Sequence, residues 1–452
     1  MKRRRYIPYI FAIAGAAVYL SLIFNDNVWL DEAFSASIIR CDLFEMAQRT
    51  FADTLPPFYN FSAWLFTHIF GFSTPILKLY SVLPMFILML IAAHFIPEIS
   101  SERAACLYIA FLTAMPHFLE HGTEIRMYSW AVLFASTTAI AALCLMKGIP
   151  HAGIMLTAGT VLGAYTHQYA LIAEAFVWLM LLVFAIRQKQ AFLWLRSAGL
   201  CVALYIPCAV LTVFQMKSAT SYFSASAPSL DKLAASFRYP FVTDLTPVSA
   251  LLLCFFLILL AYAFTKRQVA AAYYMLICPA VVLMSFGIMA GTGSTFFSSR
   301  YLLPSQGILW LGAALSLDLM LSENRYVMAV AAPLITACLV LIYIKMYGTE
   351  YVDMTEFISF IGSTDEDDGY VMYEDFPEIE ICLGYYAPWL KKYSIEDIKD
   401  VSGDKYVFVN GTVHTDEVGE IKNENFDISY IGDLTFDRYT FKAYELTEGA
   451  DR

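Results

Sequence analysis

Met1-Lys2-Arg3-Arg4-Arg5 opens the chain, an apolar run follows from Tyr6 to Phe24, and Asn25-Asp26-Asn27-Val28-Trp29-Leu30-Asp31-Glu32 comes next. An uninterrupted apolar run of roughly 20 residues is what one helix needs to cross the hydrocarbon core of a bilayer. A charged start and an apolar run also begin a signal peptide. No small-residue cleavage site follows here, so the first helix is expected to be retained. Its basic start predicts a cytoplasmic N-terminus, which puts the Asp31-Glu32 pair just beyond the outer end of the helix.

The rest of the chain agrees with a membrane setting. Of its 452 residues 59% are hydrophobic and only 15% charged, against about 45–50% and 25% in soluble domains. Further apolar spans are expected near 76–96, 104–119, 127–146, 152–167, 169–186, 197–214, 247–264, 270–289, 301–320 and 326–345. The fold class expected is therefore mainly α, a polytopic membrane bundle of about eleven transmembrane helices. Alternating from a cytoplasmic start leaves Arg103, Lys147, Arg187-Gln188-Lys189, Arg196, Lys266-Arg267 and Arg325 in inside loops, as the positive-inside rule requires. The long segments then face outward: about 25–75, the turn at 120–126, about 215–245, about 290–300, and the tail.

Two domains are expected, a membrane domain over 1–345, with 25–75 as its first outward loop, and an acidic extracytoplasmic α/β domain over 346–452. Residues 350–452 hold about 25 of the 40 acidic residues but only about 8 of the 29 basic ones. That asymmetry argues against nucleic acid as a partner. Strands are expected at Gly369–Tyr373, Lys405–Val409, Ile428–Phe436 and Tyr439–Leu446, with a helix at Pro377–Tyr386. Asp365-Glu366-Asp367-Asp368 reads as a solvated turn, and Asn410-Gly411-Thr412 has the form of a glycosylation acceptor. Seven of the nine cysteines lie inside apolar runs and read as small buried hydrophobes; Cys41 and Cys382 lie outside them with no spacing that pairs them.

An isolated acidic pair is most simply a polar interface loop, but its neighbours give it company. Asp53-Thr54-Leu55-Pro56-Pro57-Phe58-Tyr59-Asn60 follows, and Lys78-Leu79-Tyr80-Ser81-Val82-Leu83 opens the second span. Glu124-Ile125-Arg126-Met127-Tyr128 stands at the head of a later span, Thr166-His167-Gln168-Tyr169 joins two others, and Ser299-Arg300-Tyr301-Leu302-Leu303-Pro304 comes late. In order and spacing these segments resemble the GT-C membrane glycosyltransferases, in the glycosyltransferase family 39-like branch of protein O-mannosyltransferases and bacterial aminoarabinose transferases. The resemblance covers residues 1 to about 345. It departs at Leu55, where the family's histidine before the two prolines is missing; His68 is a weak substitute.

The resemblance implies transfer of a sugar, with single inversion, from a polyprenyl-phosphate donor to an acceptor glycan, lipid or protein on the outer face of the cell membrane, in a bacterial cell envelope. Such a reaction needs a carboxylate near the reacting carbon and fixed positive charge near the departing phosphate. Asp31 is the candidate for the first role, supported by Glu32. Lys78, Arg126 and Arg300 are candidates for the second, being basic residues on the side that the positive-inside rule keeps poor in them; interfacial snorkelling is the alternative. Pro57, Tyr59, Tyr128, His167 and Tyr301 are the expected substrate-binding residues. Membrane lipid is an expected partner, with the donor's tail in an apolar groove open to the bilayer.

No cofactor is expected. A divalent metal is the open alternative, because some GT-C enzymes need one while this branch generally does not. His117-Phe118-Leu119-Glu120-His121 has the H-x-x-E-H order of a zinc protease class, but a turn between two membrane spans leaves little room for a peptide cleft. Gly291-Thr292-Gly293-Ser294 lacks the strand–helix context of a phosphate loop. The competing reading is a non-enzymatic transporter or flippase of lipid-linked sugars; such proteins favour internal repeats and charges at the bilayer midplane, and neither stands out here. A third reading is a structural or sensory membrane protein whose tail binds a partner.

Overall fold

The computed structural model describes residues 6–25, 27–219, 229–292, 297–347, 355–373, 377–394, 396–410, 426–436 and 439–448. The chain is helical through its first three quarters. Helices α1 (Ile7–Leu20), α2 (Leu30–Arg40), α3 (Leu43–Ala52), α4 (Phe58–Phe70), α5 (Thr74–Ile99), α6 (Glu102–Ala114), α7 (Phe118–Thr123) and α8 (Tyr128–Met146) come first. Then follow α9 (Ala152–Thr166), α10 (Gln168–Arg187), α11 (Ala191–Ala219), α12 (Leu230–Arg238), α13 (Thr246–Thr265), α14 (Val269–Thr292), α15 (Leu303–Glu323) and α16 (Met328–Tyr347). The chain divides into two compact units, one of Met1–Asn25 with Cys41–Tyr347, the other of Asp26–Arg40 with Gly348–Arg452. The α2 segment, read from sequence as part of an outward loop, therefore belongs with the C-terminal residues.

Each of the eleven expected spans falls on a helix of the first unit. Among the described residues, eight helices are long and apolar enough to cross a membrane. The other three, α1, α6 and α9, have 14, 13 and 15 residues. At 1.5 Å per residue they fall short of the ~30 Å hydrocarbon core. The span expected over 104–119 ends early, at Ala114: Pro116 and a left-handed His117 (φ 72°) break the chain there, and α7 starts as a separate short helix. The protein is a multi-pass membrane protein.

Burial separates central from peripheral helices. The apolar windows of α15 and α8 are 89% and 83% buried, against 11% for α11 and 22% for α16. The central crossings use small residues, as expected where helices must approach without a hydrophobic drive between them. Any side chain at Gly307 of α15 would collide with Ser136 of α8, and one at Gly312 would meet the Ala271 carbonyl of α14. α1 shows one buried face (Pro8, Ala12, Gly15, Ala16, Tyr19), while Ile7, Ile10 and Ile13 are exposed and suited to lipid. At the opposite end from the loops discussed below, Asp318 of α15 accepts from Arg103 Nε at 2.7 Å and from Ser101 Oγ at 2.8 Å, tying the α5–α6 connection to the central helix.

In the second unit, a mixed five-stranded sheet has the order β2-β1-β3-β5-β4, with strands β1 (Gly369–Tyr373), β2 (Lys391–Lys392), β3 (Lys405–Asn410), β4 (Phe426–Phe436) and β5 (Tyr439–Glu448). β1 runs parallel to β2 and β3, and β5 pairs antiparallel with β3 and β4. Val407, Phe408 and Val409 are all buried, so β3 is covered on both faces, as a continuous apolar strand requires. Helices α17 (Thr355–Ile361) and α18 (Pro377–Tyr386) complete the unit, and α18 packs on α2. The expected strands and helix are all present. One detail differs: Asp365, Glu366 and Asp367 are exposed, but Asp368 is buried and accepts from the Asp365 and Asp404 backbone N–H groups at 2.9 and 2.7 Å, so it locks the turn before β1. Asn410-Gly411-Thr412 and Gly291-Thr292-Gly293-Ser294 extend outside the described residues.

Candidate functional site

Asp31 and Glu32 occupy the first turn of α2, where the helix dipole favours carboxylates. Glu32 is buried and accepts from the Trp29 N–H at 3.1 Å, reaching back across the helix start as in a capping box. That makes Glu32 a local support of the turn. Asp31 is half-buried. The helix they begin is held to α18 by Val28 N–H donating to the Tyr386 hydroxyl at 2.7 Å and Arg40 donating to the Gly384 carbonyl at 3.3 Å.

Within the first unit, the expected site residues form two neighbourhoods. Lys78, one turn into α5, is buried and donates to the Asn25 carbonyl. Pro57 is the N-cap of α4, and Tyr59 lies 3.4 Å through its hydroxyl from Ser81 Oγ of α5, its ring against Tyr80. The Pro-Pro-Phe-Tyr stretch thus starts α4 and packs it on α5.

The second neighbourhood gathers Arg126, Tyr128, His167, Arg300 and Tyr301. The Tyr128 ring stands 5.9 Å from the Arg300 guanidinium and 5.9 Å from the His167 ring. His167 lies 5.1 Å from Tyr301, and Tyr169 closes the group at 5.3 Å from Tyr301. Arg126, His167 and Tyr128 are all buried. These residues come from the start of α8, the α9–α10 junction and the turn before α15. Alternation of the spans brings all three to the same end of the bundle, where α5 also begins.

His167 is the informative member. As N-cap of α10 its Nδ1 accepts from the Tyr169 N–H at 3.0 Å, so in the neutral ring Nε2 carries the proton. Nε2 is buried and has no hydrogen-bond partner among the described residues; the same holds for the Tyr128 hydroxyl. Burial, then the charges of Arg126 and Arg300, hold the His167 pKa down to about 3, so the ring is neutral at physiological pH. Buried Arg126, half-buried Arg300 and a neutral N–H donor converge, which is a setting for an anion.

Beside it lies a group that sequence reading set aside. His121 Nδ1 is 3.0 Å from Glu124 Oε2, and His121 Nε2 is 2.9 Å from the Tyr239 hydroxyl. His117 stacks on the Tyr239 ring at 3.8 Å, with its Nε2 3.0 Å from the Tyr239 carbonyl and its Nδ1 3.4 Å from Glu120. Burial disfavours the charged His121 ring, but the Glu124 and Glu120 carboxylates outweigh it and raise its pKa. Burial lowers the His117 pKa. For Glu120, burial works against ionisation, and the hydrogen bond with His117 and the nearby His121 charge overcome it, holding the carboxyl below the usual range. Tyr239 lies in the segment read only as an outward loop over 215–245, and its pairing with 117–121 spans more than a hundred residues, so no local pattern signals it. Glu124 was visible in the E-x-R-x-Y motif.

Below His167, α9, α10 and α11 enclose an apolar groove of about 330 Å³ lined by Val161, Leu171, Trp178, Leu182, Val202 and Tyr205, with Glu174 in its wall.

No family model matches the chain, and no curated protein sequence matches it. Its fold, however, matches solved structures over nearly its whole length. ArnT from Cupriavidus metallidurans in the apo state aligns with TM-score 0.64 at 10% identity, covering 96% of this chain and 97% of that one. The same protein bound to undecaprenyl phosphate gives 0.58 at 12%, with 97% of each chain covered. The oligosaccharyltransferase of Archaeoglobus fulgidus, in complex with Zn and sulfate, gives 0.51 at 11%, covering 95% of this chain and 72% of that one. A multi-pass helical unit followed by a smaller sheet-bearing one is thus, in this chain, a fold shared with ArnT and the archaeal oligosaccharyltransferase.

Proposed function

We propose that the chain is an integral-membrane glycosyltransferase that moves a sugar from a polyprenyl-phosphate donor to a hydroxyl-bearing acceptor outside the cytoplasm. The observation that carries this reading is the convergence of buried Arg126, half-buried Arg300 and the neutral, buried His167 Nε2–H in one cluster. In the reaction, an acceptor O–H gives its proton to the Asp31 carboxylate while its oxygen bonds the anomeric carbon. The bond from that carbon to the phosphate oxygen breaks, and the polyprenyl phosphate leaves with one more negative charge. Arg126, Arg300 and His167 answer that charge as it develops, where donors in a water-poor site are worth most; Lys78 is assigned to the same phosphate. Tyr128 and Tyr301 are assigned to the donor sugar, and Pro57 and Tyr59 to shaping the wall around it. The groove between α9, α10 and α11 suits an isoprenoid tail. The aminoarabinose transferase of similar fold has been solved with undecaprenyl phosphate bound, which supports the donor class. Asp31→Asn keeps shape and removes the base.

The test is transfer from polyprenyl-phosphate sugars to membrane-extract acceptors by the purified chain. Arg300→Gln is expected to lower turnover by about 100-fold or more, the usual effect of removing one donor to a developing oxyanion. Asp31→Asn is expected to abolish transfer while leaving binding of the lipid donor intact. Full turnover in both variants would sink the proposal and favour a carrier of lipid-linked sugars.

A further inference from the structure

We propose that His117, Glu120 and His121 form a binding site for a divalent transition-metal ion of the zinc class, seated where α7 meets the Tyr239 turn. Glu120 and His121 lie in α7 and His117 is its N-cap, so one short stretch of chain carries all three side chains. Their ligating atoms lie within 4.8 Å of one another, and two imidazoles with a carboxylate are a donor set that zinc accepts.

Two details go beyond proximity. The gap of 3.4 Å from His117 Nδ1 to Glu120 Oε2 is longer than a charge-assisted hydrogen bond of about 2.7–2.9 Å. It matches the ~3.3 Å between two ligands of one tetrahedral zinc with bonds of about 2.0–2.1 Å. His117 Nε2 also faces the Tyr239 carbonyl at 3.0 Å. With Nε2–H donated there, Nδ1 faces the Glu120 carboxylate, and a divalent cation can take the place of the proton shared between them. Such an outer hydrogen bond from ring to carbonyl is how metal-bound imidazoles are commonly oriented.

The surroundings fit an ion with one position left for solvent. A cavity of about 20 Å³ opens against His117 and Glu120, lined also by Pro116, Val242, Asp244 and Lys345, which is room for about one water. The Lys345 ammonium there faces Asp244 at 3.7 Å. His117 is held in the left-handed region at φ 72°, a conformation that costs a non-glycine residue energy and is kept where surrounding contacts require that side chain's direction. The ion would pin α7, and the Glu124–Arg126 stretch after it, to the turn at Tyr239.

The full chain, purified in detergent and stripped with a chelator, is titrated with Co(II) and then Zn(II). One equivalent of Co(II) with tetrahedral ligand-field bands, displaced by zinc, is expected. His117→Ala and His121→Ala should each lose affinity by more than the roughly 10–100-fold that an outer partner contributes, and the isosteric Glu120→Gln likewise. Zinc should raise the thermal midpoint of the wild type and not of the variants, with helical content equal in all. Sub-stoichiometric binding by the wild type, or equal affinity in properly helical variants, overturns the site. The readout is metal binding, so failure of the transferase reading leaves it standing or falling on its own.

Discussion

At the residue scale, the His167 ring turns its two nitrogens to different surroundings. Its Nδ1 caps α10 while its Nε2–H turns into the arginine cluster. Because the folded state holds its pKa near 3, below the ~6.5 of an unfolded chain, the native protein binds fewer protons than the unfolded one between those values. Its contribution to stability is therefore complete above about pH 6.5 and is lost as pH falls toward 3, at up to about 1.4 kcal/mol per pH unit. His167→Asn keeps an N-cap and removes the titration. Thermal melting in detergent should show the variant losing less stability than wild type between pH 7 and pH 5; equal losses would contradict the buried neutral ring. This position was legible from T-H-x-Y, and so were Arg126, Tyr128, Arg300 and Tyr301, because each sits at a helix end that the apolar pattern marks. Tyr239 was not legible, since its partners lie far off in sequence.

At the element scale, the bundle depends on a few close crossings and one polar clamp. Asp318 is nearly buried, its side chain 10% exposed against 43% for Arg103, and it gathers Arg103, Ser100 and Ser101. Asp318→Ala leaves these donors unpaired and should destabilise the fold by about 2–3 kcal/mol, read as a lowered unfolding midpoint in detergent. Gly307→Val should be at least as damaging, because α15 and α8 would have to part where Ser136 fills the space; folding and melting like wild type would show that the crossing is looser than described. Both residues lay in spans read only as apolar. A period of 3.6 indicates that a helix is present, but it does not say which side meets a neighbour when all sides are hydrophobic. The same holds for Glu174, a buried carboxylate that the apolar pattern carries without comment.

At the scale of the whole molecule, the alternating basic loops predict opposite sides for the two ends. A reporter fused after residue 452 should be active only outside the cytoplasm, and one fused at the N-terminus only inside; the same side for both would require a different count of crossings. Length, apolar runs and loop charge determined by themselves that this is a multi-pass helical protein with an acidic α/β tail, because hydrocarbon thickness and backbone hydrogen bonding leave a chain with such runs few alternatives. Short motifs marked the helix ends where Arg126, Tyr128, His167 and Tyr301 gather. Only the tertiary structure decided that α2 joins the C-terminal unit, that Tyr128, His167, Arg300 and Tyr301 gather in one cluster, and that the two histidines of H-x-x-E-H meet Tyr239. Those outcomes depend on contacts between residues remote in sequence, which local periodicity and propensity do not encode.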